Sequence, residues 1–350
     1  MSEPYFQRDG ITIYHGDCLE VLPHVDHADL ILTDPPYFKV KSEEWDRQWD
    51  KATEFLDWLD LSLVELERIL AANGSLYLFA SPQMAARVEV LIGQRFAVLA
   101  GITWAKPDPF STINRGAGNA GRVSKESLRN YYPNTERVIF AEHFGADNMA
   151  KGEAGYAAKC DELRGFVFEP LRAYLADEWK RAGLNMDDAN AACGTATMAG
   201  HYFHRAQWAL PTLEKYEALR TYANRKGGEY LRREYEDLRR EYEDLRREYE
   251  DLRRPFAVTA EDQFTDVWTF PTVKPYKGKH PCEKPQALLR HIIKTSSREN
   301  AVVLDPFMGS GSTLLAARSM GRQAIGVEKD ERWCEQLAEQ LSVPTLALAA

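Results

Sequence analysis

The chain contains no run approaching the roughly 20 apolar residues that a membrane-spanning helix needs, and its start, MSEPYFQRDG, lacks the basic-then-apolar order of an export signal. Cysteine is scarce: Cys18, Cys160, Cys193, Cys282 and Cys334 stand far apart and are odd in number, which argues against a disulfide framework and against zinc or redox pairs. Positive charge is not in excess either. With 44 Lys and Arg against 53 Asp and Glu, the formal net charge is −9, unsuited to a protein held on nucleic acid by overall charge. These absences predict a soluble cytoplasmic protein with reduced thiols. The average conceals one basic stretch, Thr272–Arg298, where Lys274, Lys277, Lys279, Lys284, Arg290, Lys294 and Arg298 meet a single acid, Glu283. A chain of 350 residues has room for one large α/β domain carrying an insertion.

What is present begins with strands. ITIYHGD (11–17) reads as a strand ending in Gly-Asp, and ADLILTD (28–34) as a fully buried parallel strand, apolar without alternation. Residues 54–70 space their apolar side chains three and four apart, a helix stopped by Asn73-Gly74. Strand 75–80, helix 83–92 and strand 97–104 follow, an alternation that predicts a sheet with helices on both faces. It breaks at 106–134, a Gly-, Ser- and Asn-rich segment with Arg115, Arg122, Lys125 and Arg129, and ERVIFAE (136–142) restores a strand.

Residues 165–226 read as a helical insertion: an amphipathic helix closed near Gly183, a short helix closed by Gly194, and a third helix capped by Thr195. That outline is a helix-turn-helix whose last helix offers Thr195, Thr197, His201, His204, Arg205 and Gln207 to a major groove, with an ordinary three-helix packing unit as the alternative. Residues 234–254 are three identical copies of EYEDLRR. Their Tyr/Leu stripe and the pairs Glu236/Arg240 and Glu243/Arg247 predict one helix ended by Pro255, packing on its host domain or on a partner helix. After strand 266–270, a helix at 284–297 leads into 301–341, which reads strand, glycine turn, helix, strand, acid, helix.

Two segments carry chemistry. In DPFMGSGST (305–313) the glycines allow a tight turn and close ligand approach, and Glu328, 23 residues past Asp305, is placed to take ribose hydroxyls. No Lys follows the glycines, so this is not a phosphate loop, and Leu314 stands where a dinucleotide fingerprint has its third glycine. An acid at the head of the turn repels a pyrophosphate but attracts the ammonium of a methionine moiety. S-adenosylmethionine therefore fits better than NAD, and a structural turn without a ligand is the bland reading. In LILTDPPYFK (30–39) a buried strand runs into Asp34-Pro35-Pro36-Tyr37. An aromatic amino group is a poor nucleophile because its lone pair is delocalised into the ring. Two acceptors on its N–H bonds turn that pair toward an electrophile, and the Asp34 carboxylate and Pro35 carbonyl are the expected acceptors, preorganised by the prolines. Tyr37 is expected to stack on a base extruded from its helix. The scheme requires neither metal nor covalent nucleophile.

At these segments the chain resembles the DNA amino-methyltransferases, which methylate N6 of adenine or N4 of cytosine. DPPY looks like their catalytic tetrapeptide and DPFMGSGST like their cofactor motif. HPCEKPQALL (280–289) is similar to the HPxxKP motif of the β-class, and HGDCLEVL (15–22) to the acidic segment upstream of the tetrapeptide. The order, catalytic motif first and cofactor motif last with target recognition between, is that of the β-class. The resemblance covers about 1–105 and 265–341. It implies Asp34, Pro35, Pro36 and Tyr37 as catalytic residues. As cofactor-binding residues it implies Asp305, Pro306, Phe307, Gly309, Ser310, Gly311, Thr313 and Glu328, then His280, Lys284 and Pro285, and Asp17 with Cys18.

The fold so implied is α/β, a doubly wound Rossmann-like methyltransferase sheet with swapped motif order. Residues 1–105 form the catalytic half, 106–164 an irregular DNA-facing loop and connecting strand, 165–264 the helical target-recognition insertion and 265–350 the cofactor half. Duplex DNA is the expected partner, with Arg115, Arg122 and Lys125 on phosphates and Thr197, His201 and Arg205 near bases. An initial Asp in the tetrapeptide favours adenine N6. Cytosine N4, another planar amide or amine, an inactive DNA-binding relative and a dehydrogenase are the alternatives. Pro281-Cys282 is similar to the nucleophile dipeptide of cytosine-5 enzymes, but it precedes the cofactor motif and falls inside HPxxKP. The resemblance also implies a stand-alone bacterial or phage methylase and a homodimer, with helix 83–92 or the heptad helix as its face.

Overall fold

A computed structural model of the chain describes residues 3–107, 129–131, 133–144, 165–205 and 208–342. Arg115, Arg122 and Lys125 lie outside the described residues. The chain forms two compact units, Met1–Ala146 with Pro255–Ala350, and Asp147–Arg254. The return into the first unit thus comes at 255 rather than at the expected 264. Pro255 cannot continue a helix, Phe256 stacks on Phe140 with centroids 5.7 Å apart, and the Ala257 N–H donates to the Thr295 carbonyl at 2.9 Å.

The first unit is built on a sheet of β1 (Phe6–Arg8), β2 (Ile11–His15), β3 (Ala28–Thr33), β4 (Leu70–Ala80), β5 (Phe96–Ala105), β6 (Thr135–His143), β7 (Val267–Thr269), β8 (Val302–Asp305) and β9 (Gln323–Glu328). Its order is β1-β2-β9-β8-β3-β4-β6-β5-β7. From β2 to β4 neighbours run parallel, whereas β6 is antiparallel to both β4 and β5. An antiparallel neighbour needs no crossover helix, and β6 pairs directly with β5 from Ala105↔Thr135 back to Phe96↔His143. Along β3, Leu30 and Leu32 join one core and Ile31 the other, as a period of two requires.

On one face lie α3 (Ala52–Ile69) and α4 (Ala85–Ile92), which follow the short helices α1 (Cys18–Val21) and α2 (Glu44–Arg47). The other face is covered by C-terminal helices at Gln286–Ser296, Ser312–Ser319 and Glu331–Ser342. Asn73-Gly74 does not cap α3 as expected. The helix ends at Ile69, and the dipeptide sits inside β4 where the register to β3 jumps from Ala28↔Leu70 to Leu30↔Ser75. A Cβ on Gly74 would lie 2.5 Å from Leu70 Cδ1 and 3.0 Å from the Ala71 carbonyl oxygen, so a larger residue in this bulge would have to displace the Leu70 side chain.

The second unit packs α5 (Glu169–Arg181), α6 (Met186–Cys193), α7 (Leu213–Asn224) and α8 (Tyr235–Leu252) around Leu171, Leu175, Trp179, Trp208, Tyr216 and Leu219. Gly194 closes α6 in the left-handed region, at φ 62°. Among the described residues the expected third helix does not form. A 3-10 turn, Met198–Tyr202, stands there, because Asn190 Oδ1 captures the Thr195 hydroxyl and the Ala199 N–H, and no side chain caps the turn. The helix-turn-helix is therefore corrected, among the described residues, to a packing unit without a recognition helix. Thr197 and His201 belong to that turn, and Arg205 pairs with Glu169 at 3.1 Å. In α8 the stripe faces its own unit's core, with Leu238 and Tyr249 buried and Tyr235, Tyr242 and Leu245 partly so. Its ion pairs run at i,i+3, Asp237/Arg240 and Asp244/Arg247, instead of the expected Glu/Arg pairs at i,i+4.

The candidate active site

The strand order reverses between β3 and β8. From β3 the chain proceeds to β4 on one side, and from β8 to β9 on the other, yet β3 and β8 are paired through Leu30↔Val303 and Ile31↔Leu304. Crevices at such switch points, outside the carboxyl ends of parallel strands, are where doubly wound sheets bind ligands. Asp34 follows β3, Asp305 ends β8, Glu328 ends β9 and Asp17 follows β2. The Thr33 hydroxyl donates to Asp305 Oδ1 at 2.9 Å across 272 positions of sequence, pinning the two motif-bearing ends together.

A cavity of about 1100 Å³ opens at this point. Asp34, Pro35, Pro36 and Tyr37 line it together with Asp17, Cys18, His280, Lys284, Asp305, Pro306, Phe307, Gly309, Ser310, Thr313 and Glu328. Of the expected cofactor residues, Gly311 and Pro285 do not line it. Gly311 is the left-handed residue before the helix at Ser312–Ser319, and a Cβ there would meet Leu337 at 2.2 Å, so its role is helix packing rather than ligand approach. Pro285 caps the helix at Gln286–Ser296. Glu328 is held in place by the N–H groups of Gly309 (2.9 Å, to Oε2) and Asp330 (2.8 Å, to Oε1), and it retains lone pairs for further donors. Asp305 is 3% exposed, and burial pushes its carboxyl up to about 6. Asp17 caps α1 through the Leu19 N–H and pairs with Lys329 at 3.2 Å.

Several lining residues carried no sequence motif. Trp45 and Trp333 flank His280, with centroids 6.3 and 4.7 Å away, and Trp58 packs on Phe307 at 5.4 Å. Burial, helped by Lys284 and Lys41, lowers His280 to about 4, so the ring is neutral at pH 7. Burial and Asp34 raise the Cys282 thiol to about 11, which leaves it protonated and unsuited to nucleophilic attack.

Behind the tetrapeptide stands a buried set of charges. Lys284 donates to Asp34 Oδ2 and lies 3.4 Å from Glu136 Oε2. Glu136, at the start of β6, also accepts from the Tyr37 hydroxyl at 2.9 Å and from Lys106 Nζ at 2.6 Å. Burial works against a charged Glu136, but Lys284 and Lys106 hold it at about 2. Asp34 Oδ1, by contrast, is buried with no hydrogen-bond partner among the described residues. A second cavity of about 800 Å³ shares Tyr37, Lys41, Cys282, Glu283 and Lys284 with the first and is further lined by Ser81, Trp104, Lys106 and Glu136.

The segment after the tetrapeptide is organised by Asp46, which is fully buried. Its Oδ1 accepts from the Tyr37 N–H at 2.6 Å, its Oδ2 from Val40 at 2.6 Å and Lys41 at 2.5 Å, and its carbonyl from Lys39 at 2.7 Å. Phe38 and Lys39 take φ of 62° and 60°, the turn that wraps these N–H groups around one carboxylate.

A doubly wound sheet with an acid-tipped strand and a glycine turn facing one cavity defines a nucleoside-binding transferase class. Within it, a sequence model described as DNA methylase, of the N6/N4 type, matches residues 28–339, and the chain belongs to that family. The chain is similar to the type II methyltransferase M2.LlaDCHI of Lactococcus lactis subsp. cremoris, 22% identical over 363 residues that cover 98% of this chain and 93% of that one. It is likewise similar to the DNA adenine methyltransferase YhdJ of Escherichia coli strain K12, 23% identical over 348 residues covering 97% and 85%. The solved structure of the PvuII cytosine-N4-specific DNA methyltransferase shares the fold, with a TM-score of 0.55 at 13% identity over 98% of this chain and 90% of that one.

Proposed function

We propose that the chain transfers the methyl group of S-adenosylmethionine to the N6 amino group of adenine in duplex DNA. The single observation that carries this reading is the Asp34 carboxylate. Its Oδ1 is buried with no partner among the described residues, and Asp34 lines the same cavity as the glycine turn and Glu328. A buried acceptor without a donor is costly, and an amino N–H supplies what it lacks.

The donor set fits the cofactor. Glu328 has acceptor capacity for ribose hydroxyls, Phe307 and Trp58 form an aromatic wall, and Asp305 and Asp17 place negative charge in the cavity. Bound there, S-adenosylmethionine supplies a methyl group on a cationic sulfur. Asp34 takes an N–H of the amino group and draws its lone pair out of conjugation, and Tyr37, which lines both cavities, offers its ring to the face of the base. The base has to leave its helix to reach them. Adenine is supported by the Asp that opens the tetrapeptide and by relatives such as YhdJ. Arg115, Arg122 and Lys125 are assigned to phosphates, and Thr197, His201 and Arg205 to contacts near the bases. A homodimer through α4, whose Val90 is 68% exposed, belongs to the same proposal.

The test is transfer of tritiated methyl from the cofactor to unmethylated duplex DNA, with modified bases called at single-base resolution. Asp34→Ala is expected to abolish transfer while cofactor binding persists. Methylation at cytosine N4, or transfer unaltered by that substitution, overturns the reading.

A further inference from the structure

The resemblance gives Lys284 to the cofactor, and Lys284 lines the first cavity. Its ammonium also donates to Asp34, and Glu136 of β6 lies 3.4 Å from it. Lys284 is nearly fully enclosed, its side chain 7% exposed, and Lys106 completes a set of two acids and two bases. Removing a single member would strand a buried charge.

We propose that Lys284 and Glu136 are positioning residues for the methyl-transfer step: Lys284 occupies Asp34 Oδ2 so that Oδ1 is left for the substrate, and Glu136 anchors Lys284 together with the Tyr37 hydroxyl. The proposal rests on the assignment of Asp34 as the amino-group acceptor. Three points of geometry support it. Asp34 Oδ2 is taken and Oδ1 is not. Glu136 Oε2 accepts from the hydroxyl of Tyr37, whose ring is assigned to the base, and forms an ion pair with Lys284 at 3.4 Å. Lys106 fills the other oxygen of Glu136, which leaves Oε2 for those two.

The charges facing Asp34 are Lys284 from the HPxxKP segment, Glu136 from β6 and Asp305 from β8, with Tyr37 from its own loop. Facing Lys284 are Asp34, Glu136 and the neutral Cys282 thiol, with Lys41 near His280 on the same segment. Burial and Glu136 both disfavour a charged Asp34, and Lys284 opposes them. Burial likewise disfavours the ammonium, but Asp34 and Glu136 outweigh it and raise Lys284 above the ordinary lysine range.

The experiment is the pH dependence of methyl transfer to unmethylated duplex DNA by the full chain, with S-adenosylmethionine affinity measured separately by calorimetry. Transfer needs the Asp34 carboxylate, so activity falls on the acid side as that group protonates. Lys284→Met removes the favourable cation, and its acidic limb is expected to move up by about 1–3 pH units, with transfer recovering at higher pH and cofactor affinity unchanged. Lys284→Arg keeps the charge and holds the limb near its original place, which distinguishes loss of charge from loss of fold. Adding Glu136→Gln to Lys284→Met removes the repulsion left on Asp34 and moves the limb back down. An acidic limb that stays in place in Lys284→Met, or a loss of cofactor affinity that accounts for the lost transfer, overturns the proposal. The function reading fails separately, if Asp34→Ala keeps its transfer.

Discussion

Asp46 shows what one side chain contributes that no motif announces. Three backbone N–H groups converge on its carboxylate. Hydrogen bonds to a charged group contribute about 1.5–3 kcal/mol each, and buried donors left unpaired cost more. Asp46→Ala is therefore expected to lower stability by about 3–5 kcal/mol and to reduce methyl transfer through the misplaced Tyr37. Urea unfolding and the transfer assay measure the two effects, and Asp46→Asn should fall between. Asp305 makes a prediction in pH. Burial raises its carboxyl from the ordinary aspartate range to about 6. The unfolded chain thus releases that proton first, and stability falls as pH rises from about 4 to 6, then levels off. Asp305→Asn keeps an acceptor for Thr33 and the Phe307 N–H. It should add about 2–3 kcal/mol of stability at pH 7 and little at pH 4, read by urea unfolding at the two values. Neither Asp46 nor Glu136 was legible beforehand, because an isolated acid in a polar stretch reads as surface until the backbone closes around it.

Among elements, the heptad helix separates local sequence from environment. Leu238 and Leu245 occupy the same place in identical repeats, yet Leu238 is fully buried and Leu245 only partly. Leu238→Ala should cost about 2–5 kcal/mol, the range for emptying a core position, and Leu245→Ala distinctly less, by urea unfolding. Helical spacing and the ending at Pro255 were readable from the repeat, whereas the choice between host core and partner helix was not. Residues 195–210 fail in the opposite way. Their composition permits a helix, but among the described residues Asn190 takes the Thr195 hydroxyl and the Ala199 N–H, Phe203 and Trp208 are buried, and a 3-10 turn forms instead. The Asn73-Gly74 pair has the composition of a helix stop and works as a strand bulge, since turn chemistry alone does not say which element contains it.

For the whole molecule, chain order and spatial order diverge. The catalytic and cofactor motifs lie at opposite ends of the sequence and side by side in the sheet, joined by Thr33 and Asp305. The second unit leaves after β6 and returns at Pro255, where Phe256 packs against Phe140 of β6. Replacing residues 147–254 by a short Gly-Ser linker should leave a first unit that binds S-adenosylmethionine with the affinity of the full chain but no longer methylates duplex DNA. Calorimetry and methyl transfer separate these, and loss of cofactor binding would show that the first unit does not stand alone.

Sequence by itself determined the βαβ alternation, the acid-bearing strand ends and the two motifs, because hydrophobic period, proline and glycine act over a few residues and leave local marks. Only the tertiary structure decided that the Lys284 ammonium meets Asp34, that Glu136 and Asp46 close around the tetrapeptide, that β6 runs antiparallel and that Met198–Tyr202 forms a 3-10 turn. Each of these depends on which distant group supplies a charge, a hydrogen-bond partner or a covering side chain, and such pairings exist only once the chain has closed on itself.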